Sequence, residues 1–236
     1  MSFPRSAKGT PANTSPSEQA LRVVVDAWAR ARFGADVRII HELALGDRRI
    51  DMLVVGVSDL VGVEVKGPKD KLDERLRGQM STFSLYLPEV WLAVDKKWRD
   101  SNAYRWCHVN RLAIVDGVAV EEPPRERRDA IRDDLCCSRL LELLWNEETM
   151  RVAKRRQVPA EYAPGKSFPV PRVKSMLARM LTGHEIVKEV CLELRSRPLT
   201  GMASDAPLDR GASIADEGRL PPGPRQTIKA GPRKNQ

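Results

Sequence analysis

The order of hydrophobic and polar positions along the chain predicts an α/β core at the start. An N-cap signal, Ser-Pro-Ser-Glu at 15–18, opens the first helix, and Gly34 is placed to end it. The buried stripe of this helix is expected to contain Leu21, Val24, Val25, Trp28 and Ala31. Three short runs rich in β-forming residues follow at 37–43, 49–55 and 60–66, and we expect them to be strands.

The apolar period becomes helical again after the third strand. A helix is predicted over about 71–87. Its buried stripe is expected to be Leu72, Leu76, Met80, Phe83 and Leu87. A buried strand at 90–94 and a hairpin at 112–121, with Asp116-Gly117 as its turn, complete this part of the chain.

Beyond residue 134 the apolar period is helical throughout. One helix is predicted to continue without a break from 140 to 152. A second spans 171–181, and a third begins with the capping box at 182–185 and ends near residue 197. The pattern therefore predicts a small helical C-terminal module after the α/β core.

Composition divides the chain into five segments. Residues 1–14 are rich in Ser, Pro and Thr, and 199–236 contain few bulky apolar groups, so we expect both ends to be disordered and the second to act as a basic tail. The α/β core spans 15–122. A linker at 123–134 separates it from the helical module at 135–198.

The charge balance favours a polyanionic partner. The chain has 236 residues and a formal net charge of +8, from 40 Lys and Arg against 32 Asp and Glu. Such a bias favours contact with nucleic acid. The cysteines show no C-x-x-C spacing, so no zinc or redox motif is indicated. No signal peptide and no apolar run long enough for a membrane span is seen, so we expect a cytoplasmic protein without a membrane partner.

Two charged residues interrupt an otherwise apolar strand. In the run Leu-Val-Gly-Val-Glu-Val-Lys at 60–66, strand alternation puts Glu64 and Lys66 on the face opposite the valines. Asp51 interrupts the preceding strand in the same way. A buried charge is unfavourable unless it is paired or binds a metal. If the two strands pair antiparallel, Asp51 lies opposite the end that carries Glu64 and Lys66.

This convergence predicts a magnesium site with hydrolytic chemistry. Asp51, Glu64 and the backbone carbonyl of Val65 are oxygen donors of the kind that Mg²⁺ prefers, and Mn²⁺ is an alternative metal. Lys66 is expected to orient the attacking water and to stabilise charge on phosphate oxygens. The predicted reaction is phosphodiester hydrolysis.

The pattern of Ile50-Asp51 followed by Glu64-Val65-Lys66 resembles the PD-(D/E)XK nuclease superfamily. Ile50 stands where the family name has proline. The resemblance covers residue 18 to about 95, and the stretch 62–94 is similar to a poorly characterised group of bacterial and phage proteins. It implies a restriction-endonuclease-like fold, with a mixed central sheet flanked by helices.

A second polar line on the helix after the motif carries further candidates. Arg75, Gln79 and Tyr86 follow one another at helical spacing, apart from the buried stripe. The line resembles the glutamine-and-tyrosine helix of RecB-like nucleases, although their usual spacing would fall on Phe83 instead of Tyr86. Gln79 is therefore a candidate catalytic residue, and Arg75 and Tyr86 are candidates for nucleic-acid binding. The alternative is the solvated flank of an ordinary helix.

Three other residues are candidates near the first helix and strand. Glu18 is a candidate metal ligand, because related nucleases often have a glutamate in the first helix. Its alternative role is in the capping box. His41 and Glu42, at the end of the first strand, rank lower, since a histidine at a strand end is more often structural.

The leading hypothesis is a metal-dependent nuclease of DNA in repair, restriction or mobile-element biology. One rival is a catalytically inactive nucleic-acid-binding module of the same fold. Another is a protein-interaction subunit whose helical tail docks a partner. RNA as substrate, cleavage inside or at the ends of a strand, and the oligomeric state stay open, and a homodimer is compatible with the sequence.

Overall fold

The computed structural model describes residues 15–102, 109–122, 138–159 and 169–198. Two short 3₁₀ helices, Lys96–Trp98 and Leu141–Leu143, lie among longer elements. In chain order those elements are α1 (Pro16–Phe33), β1 (Arg38–Leu45), β2 (Arg48–Val55), β3 (Leu60–Lys66), α2 (Glu74–Tyr86), β4 (Glu89–Asp95), β5 (Asn110–Val115), β6 (Val118–Glu122), α3 (Asn146–Arg155), α4 (Val170–Met180) and α5 (Gly183–Ser196).

The strands form one mixed sheet in the order of the chain. It has six strands, and β1, β2 and β3 pair antiparallel as a meander. β3, β4 and β5 then run parallel. Between β3 and β4, α2 carries the chain back to the edge of the sheet at which β3 begins. β6 pairs antiparallel with β5. The predicted mixed α/β class is confirmed.

Helices cover both faces of this sheet. On one face, α1 packs on the three valines of β3, and Trp28 of α1 meets Trp91 of β4 edge to face at 4.9 Å between ring centroids. On the other face, α2 places Leu76 and Phe83 against Ile50 and other strand residues. The predicted alternation in β3 is confirmed, since its valines share one face and Gly62 lies under the side chains of the other.

The C-terminal helices belong to the same core as the sheet. Leu177 of α4 and Val190 of α5 lie in one hydrophobic cluster with Leu60 of β3. A guanidinium nitrogen of Arg38 in β1 donates to the carbonyl of Leu194, at 2.7 Å. The predicted linker at 123–134 lies outside the described residues, and the helices beyond it complete the cover of the sheet.

Local signals determine most element ends. The Ser15 hydroxyl accepts from the backbone N–H of Glu18 at 3.2 Å, and α1 ends at Gly34, whose φ is 111°. The turn between β5 and β6 has positive φ at Asp116 (50°) and Gly117 (79°), as a type I′ turn requires. The box predicted at 182–185 caps α5. These predictions are confirmed.

The prediction of one continuous helix over 140–152 is wrong. The 3₁₀ helix ends at Leu143, and the next residue, Leu144, is extended with φ −82° and ψ 135°. A new helix, α3, then begins because the side chain of Glu148 accepts from the backbone N–H of Trp145 at 2.8 Å. Leu141 and Leu143 before the break and Val152 after it are buried in the same core, so the apolar pattern does not reveal the break.

None of the helices in the described ranges has both the length and the apolar character that crossing a membrane requires.

Two glycines allow a matched test of packing. A Cβ at Gly62 would lie 2.4 Å from both Ile50 Cδ1 and Leu87 Cδ1, whereas one at Gly78 in α2 would meet nothing closer than 3.9 Å. We expect Gly62→Ala to destabilise the protein by about 1–3 kcal/mol through overpacking. Gly78→Ala should stabilise it by about 0.5–1 kcal/mol, because alanine favours the helix. Urea unfolding measures both, and equal effects of the two changes would contradict this account.

Candidate active site

The antiparallel pairing of β2 and β3 brings the predicted acidic residues together. Met52 pairs with Val63, so the next position along places Asp51 opposite Glu64. Asp51 does not continue the ladder with its backbone. Instead its carboxylate Oδ2 accepts from the N–H of Val65 at 2.8 Å. The strand pairing predicted from the sequence is confirmed, and it fixes the Asp51 side chain against the end of β3.

Glu64 is a buried carboxylate with one oxygen hydrogen-bonded to Lys66 and one that receives no hydrogen bond from the described residues. Its side chain is 2% exposed, and Oε1 accepts from Lys66 Nζ at 2.7 Å. Oε2 is also buried and has no hydrogen-bond donor among the described residues. Burial raises the pKa of Glu64 and the nearby carboxylate of Asp51 raises it further, so a proton or a cation between the two carboxylates would relieve their repulsion.

Arg22, which the sequence interpretation missed, joins the acidic residues from α1. Its Nη2 lies 2.6 Å from Glu42 Oε1, 2.8 Å from Glu18 Oε1 and 2.9 Å from Asp51 Oδ1. The residue is only 5% exposed. A signal was present, since an arginine stands on the buried side of α1, one turn after Glu18. We call Glu18, Glu42, Asp51 and Glu64 the acidic cluster.

Glu42, which ranked low on sequence grounds, belongs to this cluster. Its φ of 58° is unusual for a residue other than glycine. The ladder between β1 and β2 pairs His41 with Met52 and Leu43 with Ile50 but skips the position between them. Glu42 Oε2 also contacts Arg49 Nε at 3.1 Å. The irregular backbone thus turns Glu42 towards two arginines, whereas His41 stays in the regular ladder.

The pKa values of the site follow from burial and neighbouring charge. Burial raises the pKa of Glu64, and the carboxylate of Asp51 raises it further, to about 8, against the opposing effect of Lys66. Burial also raises the pKa of Asp51, although Arg22 and Lys66 lower it. Burial lowers the pKa of Lys66, but Glu64 and Asp51 outweigh this, and the net shift is upward. Lys66 is therefore an ammonium at neutral pH.

Glu18 is placed beside the cluster by the first turn of α1. Ser15 caps its backbone N–H, but its carboxylate binds Arg22 and does not return to the helix end. The predicted capping box is therefore formed only in part. Burial raises the pKa of Glu18, the hydrogen bond from Arg22 lowers it, and Asp51 adds to the rise.

The candidates on α2 lie outside this hydrogen-bonded group. Arg75 is exposed, and Gln79 is half-buried, with a side chain that makes no hydrogen bond to another described residue. The hydroxyl of Tyr86 lies under Gly46 in the turn between β1 and β2, and the guanidinium of Arg139 lies 5.5 Å from its ring centroid. Tyr86 is thus packed between this turn and the C-terminal part. Leu76, Met80 and Phe83 of the predicted stripe are buried on α2, whereas Leu72 precedes the helix and is half-buried, and Leu87 is buried just after it.

The donors present fit one divalent cation. Within the described ranges no group of three or more His, Cys, Asp or Glu side chains is arranged to hold a metal ion. Mg²⁺, however, is commonly bound by one or two carboxylates and keeps several waters. Asp51, Glu64 and the main chain at Val65 supply that minimum, and the donor-free Oε2 of Glu64 is an oxygen of the right kind.

The raised pKa of Glu64 predicts a pH effect on stability. The pKa of the Glu64 carboxyl is near 4.5 in the unfolded chain and about 8 in the folded protein. The folded state therefore loses stability relative to the unfolded state as pH rises from 4.5 to 8. We expect Glu64→Gln to raise the melting temperature of the metal-free protein by about 5 °C at pH 8.5 and much less at pH 5. Thermal unfolding in EDTA measures this. The exposed Glu147→Gln is the control, and an equal effect at both pH values would contradict the shift.

Comparison with known proteins identifies no relative of known function. No family model matches the chain, and no curated protein matches it. A solved structure that it resembles is SPO1766, a protein of unknown function from Silicibacter pomeroyi, with a TM-score of 0.41 and 14% sequence identity. That match covers 60% of this chain and 92% of the other.

Proposed function

We propose that this protein is a metal-dependent nuclease that hydrolyses phosphodiester bonds, with DNA as the expected substrate. The observation that carries the proposal is the buried pair of Asp51 and Glu64, with a Glu64 oxygen that has no donor and the Lys66 ammonium 2.7 Å from the other oxygen. Burial of two neighbouring carboxylates in a core is unfavourable for folding, and function is a common reason that such a pair is kept.

We propose also that the fold is restriction-endonuclease-like. In support, the two acidic residues and the lysine stand on adjacent strands, β2 and β3, at the point where the antiparallel meander changes to parallel pairing. α1 covers one face, and α2 crosses from β3 to β4 on the other. The resemblance of the motif to the PD-(D/E)XK superfamily leads to the same arrangement.

Asp51, Glu64 and the carbonyl of Val65 would hold Mg²⁺ or Mn²⁺, which supplies Lewis-acid activation of water when bound. Lys66 acts on the substrate side, because its side chain is 18% exposed and its charge is retained at neutral pH. Its ammonium can orient a water and stabilise negative charge on phosphate oxygens. Val65 N–H holds Asp51 in position through Oδ2.

Nucleic acid is the proposed partner for reasons of charge as well as site chemistry. The chain is strongly basic, whereas the cluster at Asp51 and Glu64 is acidic, so basic surfaces would bind the backbone and the acidic residues would hold the metal. Arg75, exposed on α2, is one candidate contact to phosphate, and Tyr86 stays a weaker one.

One observation favours the rival of a binding module without catalysis. Both carboxylate oxygens of Asp51 already accept hydrogen bonds, Oδ1 from Arg22 and Oδ2 from Val65. An aspartate held in this way is a poorer metal ligand unless its remaining lone pairs point to the ion. Such a protein would bind nucleic acid equally well with and without divalent cations and would not cut it.

The proposed function can be tested with the purified full chain. Labelled single- and double-stranded DNA and RNA are incubated with Mg²⁺, with Mn²⁺ or with EDTA. We expect cleavage of DNA with either metal and none with EDTA. Binding without cleavage under all conditions would favour the rival, and cleavage that survives EDTA would exclude the metal mechanism.

Gln79 is predicted to assist without supporting the core. Because its amide is half-buried and makes no hydrogen bond in the described part of the chain, it is available to position substrate or water. We expect Gln79→Ala to cut about tenfold more slowly with an unchanged melting temperature. The matched control is Ser81→Ala on the exposed face of α2. If both variants cut like the wild type, α2 is only a scaffold.

A further inference from the structure

The acidic cluster already contains a buried cation. Arg22 contacts Glu18, Glu42 and Asp51 through one nitrogen, within 2.9 Å of each, and its Nη1 donates to the backbone carbonyl of Asp51 at 3.3 Å. Each of the three carboxylate side chains is less than one-fifth exposed. A guanidinium cannot be deprotonated in a protein, so this charge is permanent.

The charges around the site leave room for one further divalent ion. Five carboxylates and three cations interact there, and with every group counted in its charged form, as metal binding requires of Glu64, the sum is two more negative than positive. These are Glu18, Glu42, Asp51, Glu64 and Asp70 on one side and Arg22, Arg49 and Lys66 on the other. One Mg²⁺ or Mn²⁺ ion would make the group neutral, whereas a second would leave it with excess positive charge.

The geometry separates the cluster into two parts. Arg22 lies on the part formed by Glu18 and Glu42, where the strained backbone of Glu42, with φ 58°, brings its carboxylate to the guanidinium. Glu64 makes no contact with Arg22, and its buried Oε2, which no donor reaches within the described residues, lies on the other part, next to Asp51. Arg22 thus fills the part formed by Glu18 and Glu42, and one position for a metal ion is left between Asp51 and Glu64.

We propose that Arg22 is a positioning residue that takes the place of a second metal ion, so that the site binds a single divalent cation between Asp51 and Glu64. The inference rests on the proposed function. In it, Glu18 and Glu42 serve as partners of Arg22 and are not ligands of the metal. Removal of the guanidinium would leave Glu18, Glu42 and Asp51 Oδ1 buried without their shared cation, and a second metal ion would draw these oxygens together in its place.

The test counts bound metal without measuring cleavage. Metal-free protein is titrated with Mn²⁺, and free Mn²⁺ is followed by electron paramagnetic resonance. We expect one ion per chain for the wild type and two for Arg22→Met, which keeps the length of the side chain but removes its charge. Arg22→Lys restores a cation and should bind one ion. In the Arg22→Met protein, Mn²⁺ should also raise the melting temperature more than in the wild type.

Each count decides between distinct conclusions. Two ions in the wild type, or one ion in a folded Arg22→Met, would overturn the role of Arg22 while leaving a metal-dependent nuclease intact. No bound Mn²⁺ in the wild type would overturn the proposed function and this inference with it. If Arg22→Met does not fold, Glu42→Gln decides. It should still bind one ion, and loss of Mn²⁺ binding would show that Glu42 is a metal ligand.

Discussion

Replacement of Glu64 by glutamine is expected to lower the rate of DNA cleavage by about 1000-fold or more. The change keeps the size of the side chain but removes the charge of a carboxylate whose Oε2 is the one buried oxygen of the site without a donor in the described residues. Asp51→Asn should have a similar effect, since Asp51 is the partner carboxylate. The measurement is cleavage of labelled DNA in Mg²⁺ under single-turnover conditions.

Lys66 allows the same prediction with a matched control. Lys66→Met removes an ammonium that contacts Glu64, and we expect cleavage to fall about 1000-fold. Lys97→Met removes a nearby ammonium that contacts the carbonyl of Pro68 and the ring of Trp98, and it should cut like the wild type. Rapid cutting by Glu64→Gln or Lys66→Met would mean that the site has been assigned to the wrong residues.

Loss of Arg197 is expected to produce the largest effect on stability, about 3–5 kcal/mol. Arg197 is 5% exposed and Glu148 is 1% exposed, and Arg197 Nε donates to Glu148 Oε1 at 2.6 Å. The same guanidinium donates to the carbonyl of Leu143 at 2.7 Å and lies 4.4 Å from the centroid of Trp145. Arg197→Met would leave the carboxylate of Glu148 buried without its cation.

The double variant separates charge from packing. We expect Arg197→Met combined with Glu148→Gln to recover more than half of the lost stability, because no charge is then left uncompensated. Arg179→Met, on the exposed side of α4, should change stability by no more than about 0.5 kcal/mol. Urea unfolding measures all three variants. A single Arg197→Met variant as stable as the wild type would mean that Glu148 is neutral or reaches water.

Much of the fold could be predicted because the responsible signals are local. The cap at Ser15, the stop at Gly34 and the Asp116-Gly117 turn act within a few residues of themselves. The alternation in β3 predicted which side chains share a face, and the structure has them there. Asp51 was expected opposite the end of β3 that carries Glu64 and Lys66 if the two strands pair antiparallel, and they do, since a short turn joins them.

The break at Leu144 could not be predicted in the same way. Both the 3₁₀ helix before it and α3 after it bury leucine and valine in a single core, so the apolar period continues through the break. What interrupts the helix is the bond between Glu148 and the N–H of Trp145, together with the pairing of Glu148 with Arg197, which lies 49 residues away. The spacing of apolar residues predicts which side chains are buried, but it does not predict where the backbone leaves the helical conformation.

The sequence by itself determined the element types, the shared face of Glu64 and Lys66, and the presence of acidic residues on two adjoining strands. Only the tertiary structure decided that Arg22 joins this group and that Glu42 turns towards it. Arg22 and Asp51 are 29 residues apart in the sequence. They are in contact because α1 packs on the sheet beside the ends of β2 and β3 that carry Asp51 and Glu64. A buried charge acquires its partners from whatever the fold places beside it, and that depends on helix packing, which no local pattern of residues specifies.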